Sequence, residues 1–150
     1  MTEKQYDWKN GANLEEHSKR KHKILHEYFY DYVLVRCRLS QQEWFRLAIV
    51  DGFSGGGRYA CGNIGSPLIF IEEIHRSILN INIHRSAQGI KPIWFDILFI
   101  FNDSNANVIE ILKEQVAPLL VGADTKYPTL RTRFLYMSQN FEDAYPAIKH

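Results

Sequence analysis

The sequence predicts an α/β fold with a mainly parallel sheet. Three short apolar runs alternate along the chain with longer segments whose apolar residues recur every three or four positions. The first pattern is typical of buried strands, and the second is typical of amphipathic helices. Strands that alternate with helices form parallel sheets with right-handed crossover connections. A turn rich in glycine follows the first run, which is the context in which nucleotide-binding turns occur.

Length and composition fit one folded domain. The chain has 150 residues, of which 45% are hydrophobic and 23% are charged, and this mix excludes an intrinsically disordered protein. The formal net charge of +1 excludes a basic field over the whole domain, and two cysteines are too few for a disulfide framework. We expect residues 1–13 to form a flexible arm and residues 14–150 to form a single domain. No signal peptide or membrane-spanning run is visible, so we expect a cytoplasmic protein without a membrane anchor.

The first elements after the arm are a helix and a strand. A helix is predicted over residues 14–35, where large apolar residues share one face and charged residues the other. Ser40 is placed to cap a short helical turn over Gln41–Phe45. The compact apolar run at residues 46–50 predicts a strand that is buried on both faces.

Two more helices and two more strands follow. Ser66 is the expected N-cap of a helix over residues 66–85, because a serine oxygen can accept a bond from the first turn. An almost continuous apolar run predicts the second strand over residues 95–101. The polar cluster at residues 102–105 can cap the next helix, which is expected to end near Pro118. A third strand is predicted over residues 132–137.

This order of elements predicts a Rossmann-like, three-layer fold with the first helix as an N-terminal cap. Three parallel strands make only half of a doubly wound sheet. The first strand then lies at an unpaired edge, and such an edge pairs with another chain unless it is covered. The sequence therefore also predicts a homo-oligomer, a dimer or larger.

The glycine turn is the most informative segment of the chain. A phosphate-binding P-loop is disfavoured because Arg58 and Tyr59 occupy the positions that need Lys and Ser or Thr. A dinucleotide site is disfavoured because the next acidic residue at a strand end is too distant in sequence. The remaining interpretations are an S-adenosylmethionine site of the form Asp-x-Phe-x-Gly-x-Gly and a turn that binds nothing. The turn reads Asp51, Gly52, Phe53, Ser54, Gly55, Gly56 and Gly57.

Polar residues after the other two strands extend this candidate site. Asp103 follows the second strand, where a carboxylate can receive both ribose hydroxyls of an adenosine, or can cap the next helix. Asn140 follows the third strand, where a side chain can meet an adenine amino group. The carboxyl ends of parallel strands meet at one edge of a sheet, so we expect a nucleoside site there. The predicted cofactor-binding residues are Asp51, Gly52, Phe53, Ser54, Gly55, Gly57, Asp103 and Asn140.

Other polar clusters suggest fewer functions. The basic cluster Lys19, Arg20, Lys21 and Lys23 can contact the phosphates of a nucleic acid, and its alternative is a solvated helix face. Two histidines four residues apart on this helix have a spacing that can hold zinc, but no glutamate follows the first of them, and no metal site is predicted. Cys61 has no histidine near it in sequence and is not predicted to be a nucleophile.

Two stretches of the chain resemble one known family. They are Ile49–Tyr59, followed by Gly65–Leu68, and the upstream string His17–Leu25 with Tyr28. In these motifs, and over roughly residues 8–145, the chain resembles the three-Cys-motif partner protein family.

This resemblance implies a Rossmann-type, S-adenosylmethionine-dependent methyltransferase fold. It implies that Asp51, Phe53, Gly55 and Gly57 line the methionine side of the cofactor and that Asp103 lies beside the ribose. It also implies a partner protein in which three clustered cysteines hold an iron–sulfur cluster. Members of the family are longer and reach a fourth strand with an Asp-Pro-aromatic-Gly type of motif, whereas no Asp-Pro pair occurs here. We therefore expect the first half of a methyltransferase-type domain, with one wall of the ligand crevice.

Two functions from different classes follow. The first is an S-adenosylmethionine-dependent methyltransferase-like domain that acts on nucleic acid, in which the turn positions the cofactor for in-line attack on its methyl group. The second is a non-catalytic interaction module that docks a partner protein. Binding of the nucleoside cofactor distinguishes the two functions.

Overall fold

In a computed structural model, residues 16–59 and 62–140 are described. Three strands form an all-parallel sheet in the order β1-β2-β3, and helices flank it, so the predicted Rossmann-like α/β fold is confirmed. The expected arm over residues 1–13 lies outside the described residues. In chain order the elements are α1 (Glu16–Arg36), β1 (Trp44–Asp51), α2 (Ser66–Ala87), β2 (Trp94–Asn102), α3 (Ala106–Leu120), α4 (Ala123–Lys126) and β3 (Leu130–Met137).

One face of the sheet is buried against the three long helices. Side chains alternate across a strand, and the odd-numbered residues of β1 and β2 and the even-numbered residues of β3 point to this face. At its centre Phe95, Phe99 and Phe101 are fully buried in a cluster that includes apolar residues of α1, α2 and α3. Helix α1 packs mainly on α2, with the Phe29 ring edge-on to Phe70 at 5.1 Å between ring centroids. The predicted N-terminal cap is thus part of the helical layer.

The opposite face of the sheet carries none of the described helices. It consists of the even-numbered residues of β1 and β2 and the odd-numbered residues of β3, and we call it the open sheet face. Val50 and Leu135 on this face are 43% and 45% exposed, which is high for apolar residues within a parallel sheet. The described residues therefore form two layers of the predicted three-layer fold, the sheet and one helical layer.

The start of β1 differs from the prediction. No helical turn forms over Gln41–Phe45, because the strand already begins at Trp44. The reason is cross-strand packing of aromatic side chains. Trp44 pairs with Trp94 and Phe45 packs edge-on against Phe95, with ring centroids 5.6 Å and 5.1 Å apart. The Ser40 hydroxyl donates to the Gln41 side chain at 3.3 Å and caps no helix.

The helix ends show one wrong prediction and one confirmed one. Gly65, and not Ser66, is the N-cap of α2, because Ser66 lies inside the helix and its hydroxyl donates to Asp51. Helix α3 begins after Asn105, whose side chain accepts a bond from the Asn107 amide at 2.9 Å, within the polar cluster predicted to cap it. The four-residue helix α4 was not predicted.

Among the described residues, no helix combines the length and the apolar character needed to cross a bilayer. The longest of the described helices, α2, has 22 residues and contains the charged residues Glu72, Glu73, Arg76 and Arg85.

His75 of α2 makes the stability of the fold depend on pH. Its ring stacks on Tyr127 at 4.3 Å, and its Nε2 atom is buried without a hydrogen-bond partner. Burial, and secondarily the charge of Lys126, lower the pKa of His75 from 6.5 to about 4. Between these two values the unfolded chain binds the proton and the folded chain does not, so stability falls as the pH falls from 6.5 to 4.

We therefore expect His75→Phe, which keeps a ring against Tyr127, to lose less stability between pH 7 and pH 5 than the wild type loses. Urea denaturation at the two pH values measures the difference, and His84→Phe on the exposed side of α2 is the control. Equal losses in the wild type and His75→Phe would contradict the assignment.

Candidate functional site

Asp51 joins the glycine turn to the start of α2. It is the last residue of β1, and its Oδ1 atom accepts a hydrogen bond from the Phe53 amide at 3.2 Å. Its Oδ2 atom accepts a bond from the Ser66 hydroxyl. Burial raises the pKa of Asp51, the bonds from Ser66 and Phe53 oppose that shift, and the nearby charge of Asp103 adds to it. The carboxylate therefore holds the turn in place.

The glycines of the turn serve its conformation and its packing. Gly55 and Gly57 have φ values of 67° and 92°, in the region that favours glycine. A Cβ atom at Gly57 would lie 2.9 Å from Leu112 Cδ1, so the turn there packs directly on α3. The Gly57 carbonyl also accepts a bond from the Gly65 amide at 2.6 Å. The absence of a side chain at Gly57 is thus required by contact with the protein's own helix.

Asp103 reaches back to the same turn from the end of β2. Its Oδ2 atom accepts a bond from the Gly55 amide at 3.2 Å, and its Oδ1 atom accepts one from the Asn105 amide at 3.0 Å. The N-cap of α3 is Asn105, so Asp103 is not the helix cap that was its alternative interpretation. The structure thus brings the two predicted acidic residues, Asp51 and Asp103, to one turn, as the parallel pairing of β1 and β2 requires.

Asn102 connects the ends of all three strands, and sequence reasoning missed this role. Its fully buried amide group donates from Nδ2 to the carbonyls of Gly52 and Gln139, at 3.1 and 2.8 Å. Its Oδ1 atom accepts a bond from the Gln139 amide at 3.1 Å. Its main-chain carbonyl accepts one from the Ser54 amide at 2.9 Å. The signal available in the sequence was a polar residue that directly ends an apolar strand.

The remaining predicted site residues lie around this cluster. Ser54 is buried, and its hydroxyl bonds to the Gly55 carbonyl at 3.3 Å. Phe53 is 61% exposed at the outer side of the turn. Asn140 is exposed one residue after Gln139, whose main chain binds Asn102. The structure therefore brings the turn and both acidic residues together, with Asn140 at the border of the cluster.

The two carboxylates retain capacity for further bonds. An ionised carboxylate offers about four acceptor sites, and Asp51 and Asp103 each use two of them within the protein. The arrangement can therefore accept hydrogen bonds from hydroxyl or ammonium groups of a ligand. Within the described part of the chain, these hydrogen bonds come from three main-chain amides and one hydroxyl and not from a basic side chain, so the local field favours a cationic ligand.

The basic cluster of α1 is divided between a cavity and the surface. Lys19 and Lys23 line a cavity of about 310 Å³ together with His22 and with Asn63 and Ile64 of the loop before α2. Arg20 and Lys21 are exposed. These four cations therefore do not form one continuous face.

Two histidines of α1, His22 and His26, line this cavity. His26 Nδ1 lies 2.8 Å from Glu73 Oε1, and Arg76 binds the other oxygen of that buried carboxylate at 2.7 Å. Burial, and then the charge of His26, lower the pKa of His22. His22 is thereby favoured as a neutral ring beside the two lysines.

Metal and thiol chemistry find little support in the described part of the chain. It contains no group of three or more histidine, cysteine or acidic side chains that could hold a metal ion. Cys37 is buried between α1 and the core, and burial raises the pKa of its thiol to about 12. Cys61 lies outside the described residues.

The comparisons with known proteins do not assign this arrangement to a family. The chain matches no family model, no curated protein sequence and no solved structure. The resemblance to three-Cys-motif partner proteins and the cofactor that it implies accordingly remain expectations, and the site rests on its own geometry.

Proposed function

We propose that the carboxyl edge of the sheet binds S-adenosylmethionine and that the chain is a methyltransferase-like domain. The observation that carries the proposal is the pair of strand-end carboxylates, Asp51 and Asp103, which are both bonded to amides of one glycine turn. In open α/β sheets, ligands bind outside the carboxyl ends of the strands, where these groups lie.

The residues present fit the chemical groups of this cofactor. Asp103 has two acceptor sites left, which match the two hydroxyls of a ribose. Asp51 has two left for an ammonium group. The exposed ring of Phe53 offers an apolar surface beside them. When bound, the cofactor supplies an electrophilic methyl group on a sulfonium centre.

The contribution of this chain's own residues to the reaction is to position the ligand. Amides and carboxylates held by the fold orient a ligand without reorganisation at the moment of reaction, which supplies much of the advantage of an intramolecular reaction. Asp51 and Asp103 are fixed by bonds to the turn, to Ser66 and to Asn105, so their orientation is set before a ligand arrives. A rigid cradle of negative charge favours a cationic ligand over its neutral product.

The methyl acceptor that we propose is a nucleic acid. The cavity lined by Lys19 and Lys23 shares its wall, at Asn63 and Ile64, with the loop that continues from the glycine turn. Lysines there are suited to contact phosphates. A homo-oligomer is proposed because β1 pairs only with β2 among the described strands, which leaves its other edge for a second chain. A three-cysteine iron–sulfur partner is proposed from the resemblance. A cytoplasmic location is proposed from the low cysteine content, two residues in the chain.

Calorimetry with S-adenosylhomocysteine tests the proposal. We expect measurable heat of binding with the wild type and a loss of about a hundredfold in affinity with Asp103→Ala, because two charge-assisted hydrogen bonds are removed. Asp51→Ala is expected to abolish the heat. Asp31→Ala, which removes an exposed carboxylate of α1, should bind like the wild type. Absence of heat with the wild type would overturn the proposal and would favour a non-catalytic docking module.

A further inference from the structure

The open sheet face is graded from apolar to cationic along the strands. At the carboxyl end, the register places Val50, Ile100 and Leu135 in one row across the sheet. Two residues earlier along each of these strands, the row is Ala48, Leu98 and Arg133. All three side chains of the first row are apolar. Val50 and Leu135 at its two ends are 43% and 45% exposed, whereas Ile100 between them is buried. The two exposed side chains offer an apolar contact to another surface.

The other end of this face carries a surplus of positive charge. In the register, Asp96 pairs with Arg46 and Arg131, and Arg133 lies two residues further along β3 on the same face. The Asp96 carboxylate lies 3.8 Å from Arg46 Nε and 3.6 Å from Arg133 Nη2. The side chains of these two arginines are 70% and 68% exposed. Ion pairs that are this long and this exposed contribute little to stability. Both arginines therefore keep the capacity to bind further carboxylates.

Two tryptophans complete the cationic end. The rings of Trp44 and Trp94 lie 5.6 Å apart, and the guanidinium of Arg131 lies over both, at 5.3 and 5.4 Å from their centroids. Arg46 lies 5.1 Å from the Trp44 centroid. These contacts hold the arginines in place against the sheet, with their edges available for hydrogen bonds.

We propose that the open sheet face docks an amphipathic helix of a partner protein. One end of that helix carries apolar residues in a stripe, and its other end carries carboxylates. Parallel sheets occur almost only with both faces covered, and the usual cover is helical. The apolar row accepts the stripe, and the surplus arginines accept the carboxylates. From Trp44 to Val50 the face spans about 20 Å, which matches a helix of about four turns.

A single-stranded nucleic acid is the less suitable occupant of this face. Its bases would need the faces of Trp44 and Trp94, and the arginines already lie over those rings. Its phosphates would also meet the apolar row of Val50, Ile100 and Leu135. The inference does not rest on nucleoside binding, because its residues lie on the flat side of the sheet and none of them is bonded to the glycine turn in the hydrogen bonds described above.

Fluorescence of the two tryptophans reports occupancy of this face directly. The chain has three tryptophans, so the full chain with Trp8→Phe leaves only Trp44 and Trp94 as reporters. The probes are a synthetic four-turn helical peptide with a leucine stripe and glutamates at one end, the same peptide with lysines in place of the glutamates, and a single-stranded oligonucleotide. We expect a saturable change in tryptophan emission with the acidic peptide and at least tenfold weaker binding of the lysine peptide.

Matched variants locate the binding surface. Leu135→Asp should weaken the acidic peptide at least tenfold, whereas Leu79→Asp, which changes an equally exposed leucine of α2, should not. Arg133→Glu should weaken the acidic peptide and strengthen the lysine peptide, and circular dichroism checks that each variant is folded.

Four results would overturn the inference. They are equal affinity for the two peptides, no binding of the acidic peptide, preferential binding of the oligonucleotide, and a dimer in light scattering that Leu135→Asp dissociates, since a second copy would then cover the face. Heat of S-adenosylhomocysteine binding should be the same for Leu135→Asp and the wild type, so failure here is distinguishable from failure of the cofactor proposal.

Discussion

Replacing Arg85 by methionine is expected to lower the free energy of unfolding by about 3 kcal/mol or more. Arg85 is 7% exposed at the end of α2, and its guanidinium donates only to main-chain carbonyls. Nε donates to Lys91 at 2.8 Å, in the loop before β2. The two Nη atoms donate to Leu39, Ser40 and Gln42 in the loop before β1, at 3.3, 3.1 and 2.7 Å. One side chain thus fixes the two loops that lead into the paired strands.

Methionine keeps the aliphatic stem of Arg85 and removes every hydrogen-bond donor. The decrease in the free energy of unfolding therefore measures the contribution of the hydrogen bonds and not that of the packing. Urea denaturation measures it, and the melting temperature should fall by about 10 °C for a chain of this size. Arg38→Met, at an exposed arginine of the same loop, should change stability by less than about 0.5 kcal/mol. Equal effects of the two substitutions would show that the hydrogen bonds from Arg85 to the two loops contribute nothing to stability.

Asn102→Asp is expected to lower the free energy of unfolding by about 3 kcal/mol at pH 7, because it replaces one NH₂ group by an oxygen. The amide of Asn102 donates to the carbonyls of Gly52 and Gln139. A carboxylate in the same place has no donor, and its charge would face both carbonyl oxygens in a site with no solvent access. Binding of S-adenosylhomocysteine should weaken as well, because Asn102 holds the chain on both sides of the candidate site.

The pH dependence of this substitution gives its physical cause. Burial next to two carbonyls raises the pKa of the introduced carboxyl group above its unfolded value, so the folded state binds its proton more readily. The stability deficit relative to the wild type should therefore shrink as the pH falls from 7 toward 4. Asn107→Asp, on the exposed first turn of α3, should leave stability nearly unchanged. A deficit independent of pH would contradict the assigned hydrogen bonds.

Local patterns were sufficient for the order of elements and for the position of the turn. The apolar runs before Asp51 and Asp103 are strands, and their parallel pairing brings those two acidic residues to one edge. The prediction that β1 is buried on both faces was wrong, because its even-numbered residues lie on the open sheet face. Chain order and alternation alone predict this, because a right-handed crossover leaves little choice of topology. The start of β1 was mispredicted because Trp44 and Phe45 are held by aromatic partners on β2, which the local sequence does not contain.

Contacts between distant residues explain what the sequence did not show about the site. Ser66 has the right residue type and position for an N-cap, but its hydroxyl is used by Asp51, fifteen residues earlier. Gly57 fits a ligand-binding turn equally well, yet the space at its Cα is taken by Leu112 of α3. Arg85 and Asn102 look like ordinary polar ends of a helix and a strand. Their importance arises only when the loops that they bind are brought together by the sheet.

The two proposed surfaces use different residues, although they adjoin each other at Val50 and Asp51. The cofactor proposal uses the carboxyl edge, where Asp51 and Asp103 meet the glycine turn. The docking proposal uses the open sheet face, whose cationic end lies at Trp44 and Trp94, at the start of the strands. Substitutions at the cationic end, such as Arg133→Glu, are therefore expected to leave nucleoside binding unchanged, which makes each proposal testable alone.

A crystal of the chain soaked with S-adenosylhomocysteine tests the central claim most directly. The account predicts that both ribose hydroxyls lie within hydrogen-bond distance of the Asp103 carboxylate and that the ammonium group lies beside Asp51. Electron density in which the side chains and main chain of the turn fill the space between these two carboxylates, with the nucleoside absent or bound at another place, would contradict it.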